Sequence, residues 1–406
     1  MPLKASTHTA PPETHLLVIS HEASRTGAVI VLLHLLRHLH KHCNYRFTVV
    51  LYRGGELETE FRQLGDTHIW QPEEHPAGGQ HGFANRIRRK IDARRQRKNL
   101  IKSISAHSFN AVYVNTTLAA RIVPDLIGYL ACPIICHVHE LETVLQTYCR
   151  LDKFRIAEPF ITQYIACAEA VKSNLILGNH VAAQKRVDVV YECISVADTK
   201  RASRSAAAVR QELKIPEGVF VVGGSGLVEW RKGADLFIMV AHQLLLARQL
   251  ENTCFVWVGH LGEHDRVKLT CELKNAGLEG RVIFTGQKNN PQDYYQLFDV
   301  FTLTSREDPF PLVVLEAAGL GKPILCFERA GGIPEFIAGG GGISVPYADI
   351  GAMAAQIVSL RENPERLRVL GTQAAENAKQ YDVSLAGGKI DVLFREAIER
   401  HKHTGK

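Results

Sequence analysis

Hydrophobic residues in the first half of the chain form short continuous runs, separated by longer stretches of mixed character. These runs predict strands at His15–Ser20, Phe47–Tyr52, Ala111–Asn115, Pro133–His139, Tyr164–Cys167 and Val187–Tyr191. Continuous apolar runs are typical of parallel strands that are covered on both faces. An apolar helix is predicted near Ala28–His40. The first half therefore indicates a parallel sheet whose strands are connected by helices.

The second half repeats this pattern. Its runs predict strands at Val219–Val222, Cys254–Val258, Val282–Phe284, Val300–Thr304 and Pro323–Cys326. The segment Ala197–Glu212 is polar and has no sheet-like run, and Val383–His401 has the pattern of an amphipathic helix. We therefore predict an α/β protein with two Rossmann-like, doubly wound parallel-sheet domains, residues 1–196 and 197–382, followed by a terminal helix in 383–406.

Length and composition agree with two globular domains. The chain has 406 residues, of which 46% are hydrophobic and 22% charged. No apolar signal core follows Lys4, and no stretch has the 18 or more apolar residues that a membrane span needs. Nine cysteines are scattered without metal-ligand spacing, which suits a reducing compartment. These features predict a cytoplasmic protein.

The net charge of +6 is unevenly distributed. Residues 86–102 contain nine basic side chains and a single acid, Asp92. A basic helix of this kind could contact anionic lipid or an acceptor, or could simply be a solvated face, and the sequence leaves these alternatives open. Nucleic acid is not expected, because no aromatic residues alternate with the charges. We predict a possible peripheral contact with the inner face of an anionic membrane.

The strongest chemical signal is the segment from Ser305 to Ala317, Ser-Arg-Glu-Asp-Pro-Phe-Pro-Leu-Val-Val-Leu-Glu-Ala. A strand runs into an acidic loop, and Pro311 suits the start of a helix because its missing N–H is not needed there. The free N–H groups of a helix at the carboxyl end of a parallel strand form an anion site. Glu316, in the same helix, could accept two hydrogen bonds from a ribose diol.

Asp308 and Glu316 are eight positions apart, and the segment resembles the E-x7-E element of retaining glycosyltransferases of family 4, which have the GT-B fold. Asp308 stands where that family usually has Glu. The resemblance covers about residues 15–385 and is strongest in 219–335. It implies that the second domain holds a nucleotide sugar, that the first holds the acceptor, and that the two face a cleft. It also implies that the terminal helix in 383–406 crosses back to the first domain.

A second segment, Gly223–Gly233, combines a strand end, a glycine-rich turn and a Lys-Gly pair, and it leads into a predicted helix, Ala234–Leu246. Glycines allow close approach of a ligand to the backbone, and the Lys232 ammonium is a point charge suited to a diphosphate. The segment resembles the family's donor-phosphate segment. The usual upstream Arg is replaced by Gly226 or Leu227, so the resemblance makes Arg231 the candidate for the second cation.

Three further segments complete the resemblance. The turn Gly286–Lys288 follows a strand, and the resemblance places it against the nucleobase. The segment Gly331–Glu335 resembles the family's Gly-Gly-x-Pro-Glu turn, which either binds the donor or only packs within the domain. In the first domain, Gly27 lies in the loop after the first strand. His139 lies in the segment His137-Val138-His139-Glu140 at the end of a later strand, where the family has a polar residue facing the donor. A His-x-His pair could hold a metal, but no third ligand is apparent and the family needs none.

The resemblance implies transfer of a hexosyl group (the EC 2.4 class) from a nucleotide-sugar substrate to a glycan, lipid-linked or other hydroxyl acceptor, with retention, in polysaccharide or glycolipid synthesis and without cofactor or metal. The predicted catalytic residues are His139, Lys232, Asp308 and Glu316, and the predicted donor-binding residues are Gly27, Ser225, Gly226, Arg231, Lys232, Gly286, Gln287, Lys288, Pro309, Phe310, Pro311, Leu312 and Glu316.

Two alternatives remain. A nucleotide-sugar epimerase of the same fold would use the donor alone, and a non-catalytic subunit would bind the nucleotide sugar without transfer. An NAD-dependent oxidoreductase is disfavoured, because no G-x-G-x-x-G follows the first strand of either half.

Overall fold

A computed structural model describes residues 13–70, 94–95, 97–149 and 151–404. The chain divides into two compact units. Unit 1 comprises the residues up to Ala166, the segment Leu175–Val190 and the residues from Ala386 onward, and unit 2 comprises Cys167–Asn174 and Tyr191–Leu385. Each unit is built on one parallel β-sheet, as the hydrophobic runs predicted.

Unit 1 has a seven-stranded sheet in the order β3-β2-β1-β4-β5-β6-β7. Its strands are β1 (Thr14–Ser20), β2 (Tyr45–Leu51), β3 (Gly65–Ile69), β4 (Ala111–Asn115), β5 (Ile134–Val138), β6 (Gln163–Ala166) and β7 (Arg186–Val189). Every pair of neighbouring strands is parallel. All seven residues of β1 are buried, which explains the continuous apolar run in the sequence.

The helices along this part of the chain are α1 (Gly27–Cys43), α2 (Glu58–Leu64), α3 (97–105), α4 (Val123–Leu126), α5 (Glu142–Thr147), α6 (Leu151–Ala157) and α7 (Glu169–Leu177). Helix α1 directs a stripe of Val and Leu side chains into the core and ends where Asn44 adopts the left-handed conformation, with φ of 58°. Of the basic segment 86–102, the described residues 94, 95 and 97–102 are helical, and the others lie outside the described part of the chain.

Unit 2 has a six-stranded parallel sheet in the order β10-β9-β8-β11-β12-β13. Its strands are β8 (Phe220–Ser225), β9 (Thr253–Val258), β10 (Val282–Phe284), β11 (Val300–Leu303), β12 (Ile324–Phe327) and β13 (Gly342–Val345). The helices that follow are α8 (Val196–Thr199), α9 (Ala206–Leu213), α10 (Ala234–Leu246), α11 (Glu263–Asn275), α12 (Gln292–Tyr295), α13 (Leu312–Gly319), α14 (Ile333–Ile337), α15 (Ile350–Glu362), α16 (Pro364–Ala378) and α17 (Val383–Thr404).

From Ala386 onward, helix α17 belongs to unit 1. Its Phe394 is fully buried, with ring centroids 5.2 Å from Tyr113 and 6.2 Å from Tyr45. The Tyr45 hydroxyl donates a hydrogen bond to Asp391 at 2.7 Å, and Asp391 also accepts from Arg395 at 2.9 Å. The terminal helix is therefore an integral layer of the first unit.

Candidate active site

The candidate site lies at the carboxyl edge of the unit 2 sheet, where the loops after β8 and β11 meet. The two strands are hydrogen-bonded neighbours, with Val222 paired to Val300. Gly233 has φ of 68° and lies against the backbone of Thr304, so that an added Cβ would be 1.9 Å from the Thr304 carbonyl oxygen. The Thr304 hydroxyl donates to the Gly233 carbonyl at 2.8 Å. Only glycine permits this contact, which joins the Lys-Gly segment to the acidic loop.

Lys232 and Asp308 form a buried ion pair. The Lys232 Nζ donates to the Asp308 carboxylate at 2.6 Å, and the Ser305 hydroxyl donates to the same oxygen at 3.0 Å. The two charged side chains are only 15% and 4% exposed. Burial lowers the pKa of Lys232, although Asp308 opposes that shift. An ammonium has three N–H donors, so the pair leaves Lys232 able to bind a further anion.

Arg231 is fixed beside this pair. Its guanidinium donates to the Glu307 carbonyl at 2.9 Å and lies 3.0 Å from the Glu229 carboxylate. The Arg231 guanidinium also lies 3.7 Å from the second carboxylate oxygen of Asp308. Arg231 and Lys232 therefore form a double cation, as the sequence proposed, but Glu229 and Asp308 balance their charge in the free protein.

Glu316 is part-buried in the second turn of α13, and its carboxylate has no hydrogen-bond partner among the described residues. Burial raises the pKa of Glu316 to about 7. Pro311 precedes the helix, and no side chain caps the N-terminal N–H groups of α13. A buried carboxylate and a helix end both need hydrogen-bond partners, which water or a ligand can supply at this sheet edge.

The loop before α13 packs against the turn at Gly331 and Gly332. Asp308 pairs with Gly331 in an isolated bridge, and an added Cβ on Gly331 would lie 1.7 Å from the Asp308 carbonyl oxygen. The Gly332 N–H donates to the Pro309 carbonyl at 2.9 Å. Pro309, Phe310, Pro311 and Leu312 are all buried. This turn therefore packs against the acidic loop and shapes it.

The Glu335 carboxylate, at the end of the same turn, accepts the backbone N–H groups of Glu169 and Ala170 at 3.0 and 2.8 Å. These are the first residues of α7, whose N-terminus Glu335 thereby caps. Of the two roles that the sequence left open for this turn, the hydrogen bonds favour packing.

Two predicted donor-binding side chains have partners inside the protein. The buried Ser225 hydroxyl hydrogen-bonds to the Val258 carbonyl and to the Tyr295 hydroxyl, both at 2.7 Å. The Lys288 ammonium lies 3.5 Å from the Glu212 carboxylate and 4.9 Å from the centroid of the Tyr294 ring. Ser225 is thus positioned to support the sheet, and Lys288 to bind Glu212.

The glycines are better placed for a ligand. Gly226 has φ of 140°, and an added Cβ would lie 3.4 Å from the side chain of Lys232. Gly286 has φ of 74° and no atom within 4 Å of an added Cβ, and its carbonyl accepts the Gly259 N–H at 3.1 Å. Gln287, next to it, is exposed. The loops after β8, β9 and β10 therefore form a continuous rim of accessible backbone.

Unit 1 presents a polar group at the carboxyl ends of β4 and β5. His139 follows β5, and its Nε2 lies 3.0 Å from the Asn115 Oδ1. The Asn115 amide also donates to the Ala28 carbonyl at 3.1 Å, next to Gly27, the exposed first residue of α1. The Asn115 side chain thus links His139 to the first turn of α1, which begins at Gly27. Sequence reasoning missed this role, although its position at a strand end was visible.

The neighbouring side chains are buried. The Tyr113 hydroxyl lies 2.6 Å from the His137 Nδ1, and burial lowers the pKa of His137 well below its ordinary value, so this ring is neutral. The Glu140 carboxylate accepts the His139 N–H at 2.9 Å and the Thr117 N–H at 3.2 Å. His137 and Glu140 therefore fix the turn that carries His139.

A cavity of about 530 Å³ lies away from this site, at the amino edge of the unit 2 sheet. It is lined by Arg210, Arg248, Arg361, Asp299 and neighbouring residues, none of which was predicted as a site residue.

Among the described helices, none is long and apolar enough to cross a membrane. The proposed membrane contact through residues 86–102 falls mainly outside the described residues and stays a prediction.

Part of the chain matches a known protein family. Residues 205–377 match the family Glycosyl transferases group 1. This range contains every predicted site residue of unit 2, from Ser225 to Glu316.

Among curated proteins, the lipopolysaccharide core biosynthesis glycosyltransferase LpsD of Rhizobium meliloti is 31% identical over 209 residues, which cover 50% of this chain and 58% of LpsD. The D-inositol 3-phosphate glycosyltransferase 1 of Catenulispora acidiphila is 29% identical over 240 residues, 57% of this chain and 56% of that protein. The chain thus spans somewhat more than half the length of these relatives.

Among solved structures, Anabaena HepE in complex with UDP and glucose matches with a TM-score of 0.77 and 21% identity, over 95% of this chain and 100% of HepE. The predicted GT-B fold is confirmed.

Proposed function

We propose that this protein is a retaining, metal-independent glycosyltransferase of family 4 that moves a hexosyl group from a nucleotide sugar to a hydroxyl acceptor. The observation that carries the proposal is the grouping of three unsatisfied features at one sheet edge. These are the spare N–H donors of Lys232, the uncapped N-terminus of α13 and the partnerless carboxylate of Glu316. A sugar nucleotide has a group for each of them.

In this proposal the diphosphate lies against Lys232 and the amides that follow Pro311. The charge that develops on the leaving diphosphate is then stabilised by groups that are already in place, which is usually the largest single contribution to catalysis. Arg231 contributes a second cation while it stays anchored to Glu307 and Glu229. No cofactor or metal is needed for these contacts.

Glu316 accepts the two ribose hydroxyls, and the exposed backbone at Gly286 and Gln287 lies beside the base. Asp308 contacts a donor-sugar hydroxyl only through the oxygen that Lys232 and Ser305 leave open. Because its carboxylate is 4% exposed and held by that ion pair, Asp308 is poorly suited to attack an anomeric carbon. This supports retention by front-face transfer, without a covalent enzyme intermediate. His139, on the first domain, orients the sugar.

The names of the relatives support a class of acceptor. Proteins named for lipopolysaccharide core synthesis and for glycosylation of inositol phosphate match this chain over about half its length. We infer a glycan or lipid-linked acceptor in the synthesis of cell-surface polysaccharide or glycolipid.

A thermal-shift screen of nucleoside diphosphates and their sugars tests the donor. A ligand at 100 times its dissociation constant should stabilise the protein by about 2.7 kcal/mol. Glu316→Ala should weaken nucleotide binding, and calorimetry that shows unchanged affinity would remove Glu316 from the ribose site.

The sugar nucleotide that stabilises the protein in this screen is then incubated alone and with acceptor glycans. Conversion of the donor alone to an epimer would support the epimerase, and binding without turnover would support a non-catalytic subunit. NMR of the new glycosidic bond shows whether the anomeric configuration is retained.

A further inference from the structure

Trp230 is the one tryptophan of this chain that is exposed. The chain has three tryptophans, and all three are described. Trp70 and Trp257 are 4% and 2% exposed, whereas Trp230 is 62% exposed. Trp230 lies in the short 3-10 turn Trp230–Lys232, two residues before the proposed diphosphate ligand. A large exposed ring in this loop has no role in the donor contacts described above.

The ring is nevertheless held in place. The Arg306 guanidinium lies over the Trp230 ring, 5.0 Å from its centroid, and donates to the Trp230 carbonyl at 2.7 Å. Arg306 is itself fixed by two hydrogen bonds to Asp235, at 2.8 and 2.6 Å. A second hydrogen bond to the Trp230 carbonyl comes from the Gly233 N–H at 3.2 Å. Little conformational freedom remains to be lost when a ligand binds.

One face of the ring is covered by Arg306, which is only 17% exposed. The 62% exposure of Trp230 must therefore come from its other face and its edges. Leu227, at the start of the same loop, is 47% exposed, and the Asp235 side chain is 46% exposed. The surface combines an aromatic face, an apolar neighbour and a carboxylate that can accept hydrogen bonds from hydroxyl groups.

We propose that Trp230 is a stacking subsite for a pyranose ring of the acceptor. One face of a pyranose presents C–H groups, which are attracted to the negative face of an aromatic ring, while its hydroxyls remain at the edge. This inference rests on the proposed function. The nucleobase is the competing occupant, but its expected turn follows β10, two strands away from β8 in the sheet. Two strand spacings correspond to roughly 10 Å.

The test compares wild type with Trp230→Ala, Trp230→Phe and a matched control, Leu246→Ala. Leu246 is 68% exposed on the same unit, at the far end of α10. Tryptophan emission is titrated with neutral oligosaccharides of hexoses, and separately with UDP. Trp257 donates to the Gly226 carbonyl at 2.9 Å and could also respond to UDP, so only a change in emission that Trp230→Ala removes reports on Trp230. Glycan-array binding, acceptor KM and UDP release without acceptor are measured for each variant.

We expect the oligosaccharides to change the emission of the wild type. Trp230→Ala should bind glycans about tenfold more weakly and raise the acceptor KM about tenfold, while Trp230→Phe, which keeps a ring, should stay within about threefold of wild type in both. Nucleotide affinity and acceptor-independent UDP release should not change, and Leu246→Ala should behave as wild type.

Three outcomes would overturn the subsite: acceptor KM unchanged in Trp230→Ala, UDP binding without a response to any glycan, or weaker UDP binding in Trp230→Ala, which would assign the ring to the base. Absence of nucleotide binding in every protein, wild type included, would instead refute the proposed function.

Discussion

The pKa of Glu316 predicts opposite pH dependences of stability and of nucleotide affinity. Burial raises this pKa from 4.5 to about 7 in the unliganded protein. The folded state therefore binds the proton of Glu316 more tightly than the unfolded chain. The associated stability is fully present below pH 4.5 and is lost as the pH rises through about 7. The shift corresponds to roughly 3 kcal/mol lost above pH 7.

Nucleotide affinity should change in the other direction. Ribose hydroxyls donate to the ionised carboxylate, so binding favours the deprotonated form. With a pKa of about 7, about one molecule in eleven has Glu316 ionised at pH 6, and about ten in eleven at pH 8. Affinity should rise about tenfold between these pH values, which is about 1.4 kcal/mol.

Glu316→Gln provides the comparison, because it keeps the shape of the side chain and cannot ionise. It should match the stability of the wild type at pH 5 and exceed it at pH 8, by roughly 2–4 °C in melting temperature for each kcal/mol. Calorimetry with the nucleoside diphosphate found in the thermal-shift screen should show the tenfold rise only in the wild type, after subtraction of the pH dependence that the phosphate groups give to both proteins. Parallel pH profiles for the two proteins would refute the argument.

Three other perturbations test the site and its scaffold. Lys232→Ala should lower kcat about 10²–10³-fold in steady-state kinetics, and turnover within a few-fold of wild type would remove Lys232 from the mechanism. In melting curves it should also destabilise the protein by about 3–5 kcal/mol, because it leaves the Asp308 charge buried without its nearest cation. Gly331→Ala should abolish nucleotide-dependent stabilisation in thermal shift, since its Cβ would lie 1.7 Å from a backbone oxygen, whereas Gly388→Ala, with nothing within 4 Å, should leave it intact. Phe394→Ala should destabilise unit 1 by about 3–5 kcal/mol in denaturant unfolding, and a loss below 1 kcal/mol would contradict its assignment to the core.

The sequence predicted the sheets because most strands are buried on both sides and appear as continuous apolar runs. Helix α10 was predicted with its observed bounds, since its apolar run begins directly after Gly233. The two strands that were missed, β3 and β13, are both at sheet edges. They contain Asp66 and Ser344 among few apolar residues. An edge strand has one neighbour and less burial, so its sequence carries a weaker signal.

The site was predicted to the level of loops but not of side-chain partners. Motif spacing placed Lys232 and Asp308 at the ends of strands β8 and β11, which are neighbours in the sheet. It did not predict that they pair with each other, or that Ser225 bonds to Tyr295, 70 residues away. Such partners depend on how distant segments pack, and periodicity contains no information on that.

The unliganded site departs from low-energy rules at several neighbouring positions. Glu316 is part-buried without a hydrogen-bond partner among the described residues, α13 begins without a capping side chain, and Lys232 is largely buried with a lowered pKa. These three departures lie together at one sheet edge, which is the pattern expected where a ligand completes a site. A ligand with an anion at one end and a diol at the other would satisfy all three, and the free energy lost in the empty site would be recovered as binding affinity.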